Sequence, residues 1–361
     1  MRVLAALGFA LIALAAGTQY PRLRAGWSAV QADMNRPHYE IGPHKGAKYC
    51  AECHEGLYEQ WLHNSRHAVA TSATSFHNLR AKFARNALFR VAVSDSACHA
   101  CHGSKAINQG VDCETCHGTV LPETSIEETH ERKYSLDRDR LKSPKFCAAC
   151  HELKNPMSGD YIMALYEEWR SSPAASRGAT CQTCHMPSID GQPAYHGFDS
   201  AVRKPDIYLD DLKIYGLRFD PPHIKLTIEN RVDGHAIPAG GPTRVLVLSI
   251  TFTDEDDNIV HRVTETFGKK FALTPLAGLM PFKLVENSQL QSGEARHLEY
   301  LLPDDLQGRA QEAHFALEWY EISDEHGSDI QKAHWISEPF LESRASLGVE
   351  AAGPTDASAW E

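Results

Sequence analysis

The apolar positions of this chain change rhythm once, near residue 210. Beyond it, HIKLTIENRV (223–232), TRVLVLSITFTD (243–254), NIVHRVTETF (258–267), HLEYLLP (297–303) and AHFALEWYEIS (313–323) alternate apolar with polar residues or are rich in β-branched ones. Turn-forming stretches, DEDDN (254–258) and DEHGSD (324–329), separate the runs. A period of two buries one face of a strand. The pattern predicts an antiparallel, immunoglobulin-like β-sandwich over 211–345, with about seven short strands. Residues 31–202 carry no such signal. They are rich in His, Gly and Ser, with short helical pieces and few aliphatic side chains from which to build a core.

The two ends differ from both halves. MRVLAALGFALIALAAG has one cation, Arg2, then an apolar run from Val3 to Ala16, with small residues around Ala15–Gly17. It is short for a bilayer span and has the form of a secretory signal, placed at 1–24. Arg22 and Arg24 keep an uncleaved anchor as the alternative. Residues 346–361 are small and acidic and are expected to be disordered. Between the ends, 361 residues allow two ordinary domains, here 25–210 and 211–345. A net charge of −11 argues against nucleic acid, whose phosphates require a basic surface.

The cysteines name the chemistry of the first domain. All ten fall in C-x-x-C pairs: Cys50/Cys53, Cys98/Cys101, Cys113/Cys116, Cys147/Cys150 and Cys181/Cys184. Each pair is followed at once by a histidine: His54, His102, His117, His151 and His185. Zinc ribbons use C-x-x-C without requiring that histidine, and a disulfide framework has no use for it. Two thiols three positions apart can add to the vinyl groups of one haem, and the next imidazole then takes an axial position on iron. The chain is therefore expected to hold five haem c groups. These would supply the core that the first domain lacks, so that it stays unfolded without them. Haem attachment of this kind takes place beyond the inner membrane, which agrees with the leader and implies a periplasmic or cell-surface, extracellular location. Only Gly103–Asp112 separate the second and third motifs, so those two haems are expected to be the closest pair.

The stretches AKYCAECHEGLYEQWLHNSRHA (47–68), GVDCETCHG (110–118) and TCQTCHMPSIDGQPAYHGF (180–198) resemble the multihaem cytochrome c family typified by the tetrahaem carrier of the hydroxylamine-oxidation pathway. GHAIPAGGPTRVLVL (234–248) resembles a β-domain fused to such haem domains in exported cytochromes. The resemblance covers about residues 46–200 and implies electron transfer through close-packed, mostly bis-histidine haems. It places a distal ligand at His67. The third motif departs from the family, continuing GTVLPETSIEETH (118–130) where a short Gly-Pro-Gly run and a nearby histidine are expected.

Twenty histidines exceed what five haems can use. Besides His67, the distal candidates are His196 in YHGF, His235 in a Gly/Pro loop between strands, His130, His77 and His44. His63 competes with His67, and His99 is expected to face solvent. Met157 and Met163 are alternative ligands that would raise a potential. Met186 is too close to His185 to reach the opposite face. An internal echo links YEQWLHNSRHA (58–68) with YEEWRSSPAAS (166–176): six residues after Trp61 stands His67, and six after Trp169 stands Ala175. The tryptophans themselves are expected to pack on porphyrin. His235 is expected to cross from the sandwich to ligate a haem.

The functional expectation is an electron carrier, more than an enzyme, with redox proteins or extracellular acceptors as partners. Two alternatives stand beside it. One is a subunit that self-associates into an extracellular cytochrome filament. The other is a multihaem reductase or oxidase with one open haem acting on a small nitrogen compound, to which the missing histidine at Ala175 would lend support.

Overall fold

The computed structural model describes residues 45–70, 101–103, 110–118, 139–154, 159–188, 192–199, 211–220, 222–241, 244–272, 283–306, 309–321 and 339–346. The leader, the acidic tail from 347 on, Cys98, His99, His44, His77, His130 and Met157 lie outside these residues. The chain divides into two compact units. One comprises Met1–Tyr166, Thr180–Phe198 and Phe271–Val285, and the other Glu167–Ala179, Asp199–Lys270 and Glu286–Glu361.

In the first unit, helix α1 (Ala47–Asn64) runs through Ser65 into a 3-10 turn (His67–Val69). Then come α2 (Cys113–His117), α3 (Pro144–His151) and a small hairpin of β1 (Glu152–Lys154) and β2 (Tyr161–Ala164). Helix α4 (Leu165–Arg170) leads out of the unit, α5 (Pro173–Ser176) belongs to the other, and α6 (Cys181–His185) returns to it. Among its described residues, the buried apolar side chains amount to Ala47, Trp61, Ile162 and Ala164.

The second unit holds β3 (Leu212–Asp220), β4 (His223–Asn230), β5 (Arg244–Thr253), β6 (Ile259–Ala272) as far as Lys270, β7 (Lys283–Asn287) from Glu286 on, β8 (Ala295–Leu301), β9 (Glu312–Glu321) and β10 (Pro339–Ser346). They form a five-stranded sheet, β10-β9-β5-β6-β7, and a three-stranded sheet, β3-β4-β8. The alternation works as expected. On β4, Ile224, Leu226 and Ile228 are buried, and they share one core with Leu246, Leu248, Ile250 and Phe252 of β5 and with Phe315, Leu317 and Trp319 of β9. Burying each such side chain stabilises by about 1.5–3 kcal/mol, so this unit has an aliphatic core of its own. Strands β3, β7 and β10 lie outside the five runs read from the pattern. In β3 the cause is visible: Gly216 sits at φ +67 where the register slips between Tyr215 and Arg218, and the bulge interrupts the period of two.

The unit boundary departs from the expected break at 210/211. Residues Glu167–Ala179, which precede the fifth cysteine motif, pack with the β-strands. The Ala174 amide donates to Asp233 O (3.1 Å), Arg177 pairs with Asp233, and the Ala236 amide donates to Glu168 Oε2 (3.2 Å). Behind the 232–236 loop, buried Asn230 donates Nδ2 to the carbonyls of His235, Leu290 and Gln291 and accepts the Val232 amide.

Candidate cofactor centre

Each cysteine motif that the structure describes in full lies on helix. Motif 3 is all of α2, motif 5 is all of α6, motif 4 ends α3, and motif 1 lies inside α1. On a helix, positions i, i+3 and i+4 share a face. Two thiols and an imidazole are thus presented together, which suits two thioether tethers and one axial nitrogen. In α1 the motif histidine, His54, leaves helical geometry (φ −118°, ψ 42°), and the helix kinks there.

Side-chain caps start these turns. Asp112 Oδ1 accepts from Thr115 N (2.9 Å) and Thr115 Oγ1 (2.7 Å) ahead of motif 3. Ser143 caps α3, where Pro144 takes an early position that needs no amide. Thr180 and Thr183 form a reciprocal capping box on α6.

The internal echo has a structural counterpart that the sequence reading did not anticipate. Trp61 Nε1 donates to Val111 O (2.9 Å), and Trp169 Nε1 donates to Ala179 O (2.9 Å). Val111 stands two residues before Cys113, and Ala179 two before Cys181. Each indole therefore anchors the residue ahead of a capped attachment turn. The signal was the Trp spacing itself. In the first copy the Val111 amide also donates to His67 O (2.9 Å); in the second, the Ala179 amide donates to Ala174 O (3.0 Å). Ala175 lies in α5, its amide capped by Ser172.

The motifs meet one another in pairs that sequence order does not suggest. The Cys50 and Cys113 side chains lie beside each other, as do Cys147 with Cys181 and Cys101 with Cys150. Glu114 Oε2, within motif 3, accepts the amides of Lys45 (2.6 Å) and Gly46 (2.9 Å) at the start of α1. Gln182 Nε2, within motif 5, donates to Leu141 O (2.7 Å) and Ser143 O (3.0 Å) at the start of α3. The tandem motifs 2 and 3, expected as the closest pair, thus place their cysteines against different partners. Most of these thiols sit in crowded, poorly solvated places: burial pushes Cys116 up to about 12, with Cys150 and Asp112 adding to it.

The ten cysteines, read from the sequence as equivalent tethers, are not equivalent in the fold. Cys53, the second cysteine of motif 1, is exposed, and so is Cys184, its counterpart in motif 5, whereas the other described cysteines are half-buried. Cys50 meets Cys113, while Cys53 stands one helical turn farther along α1, in a run from Glu52 to Gly56 that is exposed throughout. The contacts that shelter motif 1, Glu114 with Lys45 and Gly46, all lie at the opposite end of that turn.

Two of the distal candidates face motif histidines. His67 lies edge-on to His151, with ring centroids 6.0 Å apart, and His196 stacks on His117 at 6.1 Å. Phe198, at φ +47°, packs edge-on to His67 (4.6 Å) and to His196 (6.1 Å). Hydrogen bonds hold the ligand segments in place: His196 N donates to Gln60 Oε1 (2.9 Å), and Asn64 Nδ2 to Tyr195 Oη (2.9 Å). His196 Nδ1 donates to Ala194 O (2.6 Å) and His102 Nδ1 to Ala70 O (3.0 Å). A carbonyl can only accept, so the ring proton is on Nδ1 and Nε2 is the basic nitrogen, the tautomer a metal takes. Burial lowers the pKa of His196 and so favours the neutral ring.

The remaining candidates separate. His63 pairs with Glu59 (2.8 Å) on the exposed side of α1. Met163 lies on β2, opposite Leu153. His235 is in the second unit, where its Nδ1 donates to Ala236 O (3.0 Å) and burial lowers its pKa.

Residues 49–118 match the family model for cytochrome c554 and c-prime, and residues 103–186 that for cytochrome c7 and related cytochrome c. A penta-heme cytochrome c552 from Thermochromatium tepidum has a similar fold, with a TM-score of 0.59 and 18% identity over 84% of this chain and 98% of that one. A DNA-bound alkylpurine DNA glycosylase AlkC from Pseudomonas fluorescens aligns at a TM-score of only 0.17, with 12% identity over 75% of this chain and 65% of that one. No curated protein matches the chain. The matched segments are similar to those of multihaem c-type cytochromes, and the likeness supports covalently bound haem c and electron transfer.

Proposed function

We propose that this chain is an exported pentahaem c-type cytochrome that passes electrons between haems held at its five C-x-x-C-H motifs. The observation that carries the carrier reading is the pairing of motif histidines with second imidazoles, His151 with His67 and His117 with His196, at 6.0 and 6.1 Å between ring centroids. Two metal–nitrogen bonds of roughly 2 Å each, plus the half-widths of two rings, come to about the same span. An iron with both axial positions filled by imidazole has no site for substrate. When bound, the haem supplies a one-electron iron couple.

The chain's own residues do the rest. Cysteine pairs tether each ring, with Cys53 and Cys184 closing the exposed side of motifs 1 and 5. Motif histidines would hold each iron from one side, and His67 and His196 would do so from the other at motifs 4 and 3. The Nδ1–carbonyl bonds of His102 and His196 fix ring orientation and leave Nε2 as the nitrogen that would bind metal. His235, His130, His77 and His44 stand as distal candidates for the other motifs. The leader supports export to the periplasm or cell surface, and the net charge of −11 suits basic redox partners or extracellular acceptors.

Mass spectrometry of the mature protein should show five haem additions. Its reduced spectrum should be unchanged by carbon monoxide if the haems are saturated. His67→Ala and His196→Ala should each keep all haems attached while opening one to the gas. Fewer additions in a fully matured sample refute the haem count. Variants whose spectra ignore carbon monoxide refute the two ligand assignments.

A further inference from the structure

We propose that motif 4 is a three-way junction in the electron path, with motifs 2, 3 and 5 each its direct neighbour. The inference rests on the five-haem electron-transfer reading and adds the order in which the sites connect.

Helix α3 carries Cys147, Cys150 and His151. Toward motif 5, Gln182 Nε2 of α6 donates to Leu141 O (2.7 Å) and Ser143 O (3.0 Å) on the turn that opens α3, and Cys147 lies beside Cys181. Toward motif 2, Cys150 lies beside Cys101. The histidine of motif 2 donates to Ala70 O, three residues beyond His67, and the His67 ring is the one that faces His151. Motifs 2 and 4 therefore meet at one 3-10 turn. Toward motif 3, the Val111 amide, two residues ahead of Cys113, donates to His67 O (2.9 Å), and Phe198 packs edge-on both to His67 and to His196, the ring that faces His117. Motif 3 in turn is held against motif 1 by Cys50–Cys113 and by the Glu114 bonds to Lys45 and Gly46.

These neighbours define the order 1–3–4, with 2 and 5 both attached to 4. An electron received at motif 1 from a one-electron donor protein would pass by way of motif 3 to motif 4, each haem supplying, when bound, a one-electron couple. No proton or bond changes hands. From motif 4 it has two exits, so the chain can serve two acceptor proteins, one at motif 2 and one at motif 5. A chain wired in sequence order would have one.

The two orders predict different consequences of losing haem 2. Reducing one haem changes the potential of its neighbours through their Coulomb interaction. In the full-length holoprotein, Cys98→Ser with Cys101→Ser removes haem 2, and Cys181→Ser with Cys184→Ser removes haem 5. Potentials are followed by redox titration with electron paramagnetic resonance, the haem 4 signal being the one altered in His151→Ala. Both deletions should shift the haem 4 midpoint and leave that of haem 1 in place. A haem 2 deletion that shifts haem 1 and leaves haem 4 unmoved overturns the junction. Should a deletion variant fail to mature, iron–iron distances in a haem-resolved structure of the unaltered protein decide instead. The iron of motif 4 should be the nearest neighbour of both the motif 2 and motif 5 irons, and a motif 2 iron nearest to motif 1 overturns the proposal. A haem count below five in the unaltered protein is a failure of the underlying reading, and the mass measurement shows it separately.

Discussion

Replacing Lys269 by methionine tests how the segment ahead of motif 5 is held in the β unit. Lys269 of β6 has a side chain 5% exposed, 3.8 Å from the Glu168 carboxylate, itself 14% exposed. At that distance two unit charges attract by about 4 kcal/mol at an effective dielectric near 20. Each charge is also penalised by burial, which raises the pKa of Glu168 and lowers that of Lys269. Removing one partner of such a pair strands the other, which costs about 3–5 kcal/mol. Glu168 keeps the Ala236 amide and some solvent, so Lys269→Met should cost about 3 kcal/mol at neutral pH, the low end of that range.

The pH dependence follows from the signs. The folded-state pKa of Glu168 lies above its ordinary value, so its contribution is fully present below that ordinary value and is lost as pH rises through the folded one. Lys269 is the reverse: its folded value is depressed, and stability is recovered as pH rises toward its ordinary value. Without the lysine, Glu168 is raised further, so the variant's deficit is largest at neutral pH and shrinks on acidification as the carboxyl takes a proton. Guanidinium unfolding of the holoprotein, followed by far-ultraviolet circular dichroism at neutral and mildly acidic pH, measures this. Glu168→Gln with Lys269→Met should recover most of the loss. A deficit equal at both pH values, or a double variant no better than the single, refutes the reasoning.

Two further outcomes test the supports of each unit. Gly110 sits at φ +76°, and a Cβ there would run into His67 O and the Ala68 backbone. Gly110→Ala should therefore cost more than about 1 kcal/mol and displace the turn that presents His67, visible as a high-spin haem that binds carbon monoxide; an unchanged spectrum would count against His67 as a ligand. Asn230→Ala takes one hydrogen bond from each of three carbonyls and leaves the Val232 amide without its acceptor, while Leu290 O keeps the Ile237 amide and Gln291 O the Glu294 amide, so it should cost about 2 kcal/mol. Chemical denaturation reads this, and a loss below about 1 kcal/mol would mean that water takes over those bonds.

What the sequence determined by itself is local. C-x-x-C-H carries its meaning within one helical turn, because i, i+3 and i+4 share a face, so the thiol pairs and their adjacent histidines were legible without coordinates. The same holds for β4, β5, β6, β8 and β9, whose alternation records one buried face. It failed at β3, where Gly216 and its bulge break the period. Tertiary structure alone decided which distant parts meet. His67 faces His151 and His196 faces His117 across separations that no spacing rule spans. Motifs 2 and 3 are consecutive in the chain, yet Cys101 turns to Cys150 and Cys113 to Cys50. Within motif 1 the two cysteines read alike, yet Cys50 is half-buried and Cys53 exposed, because the neighbouring motif covers one end of the turn. Trp61 and Trp169 donate their indole N–H groups to carbonyls just ahead of attachment turns, 50 and 10 residues along the chain. Residues 167–179 read as part of the first domain, yet Glu168 and Ala174 bond within the β unit. Periodicity reports that a face is buried. The partner that buries it is set by packing and hydrogen bonds between segments far apart in the chain, and those leave no repeat in the sequence.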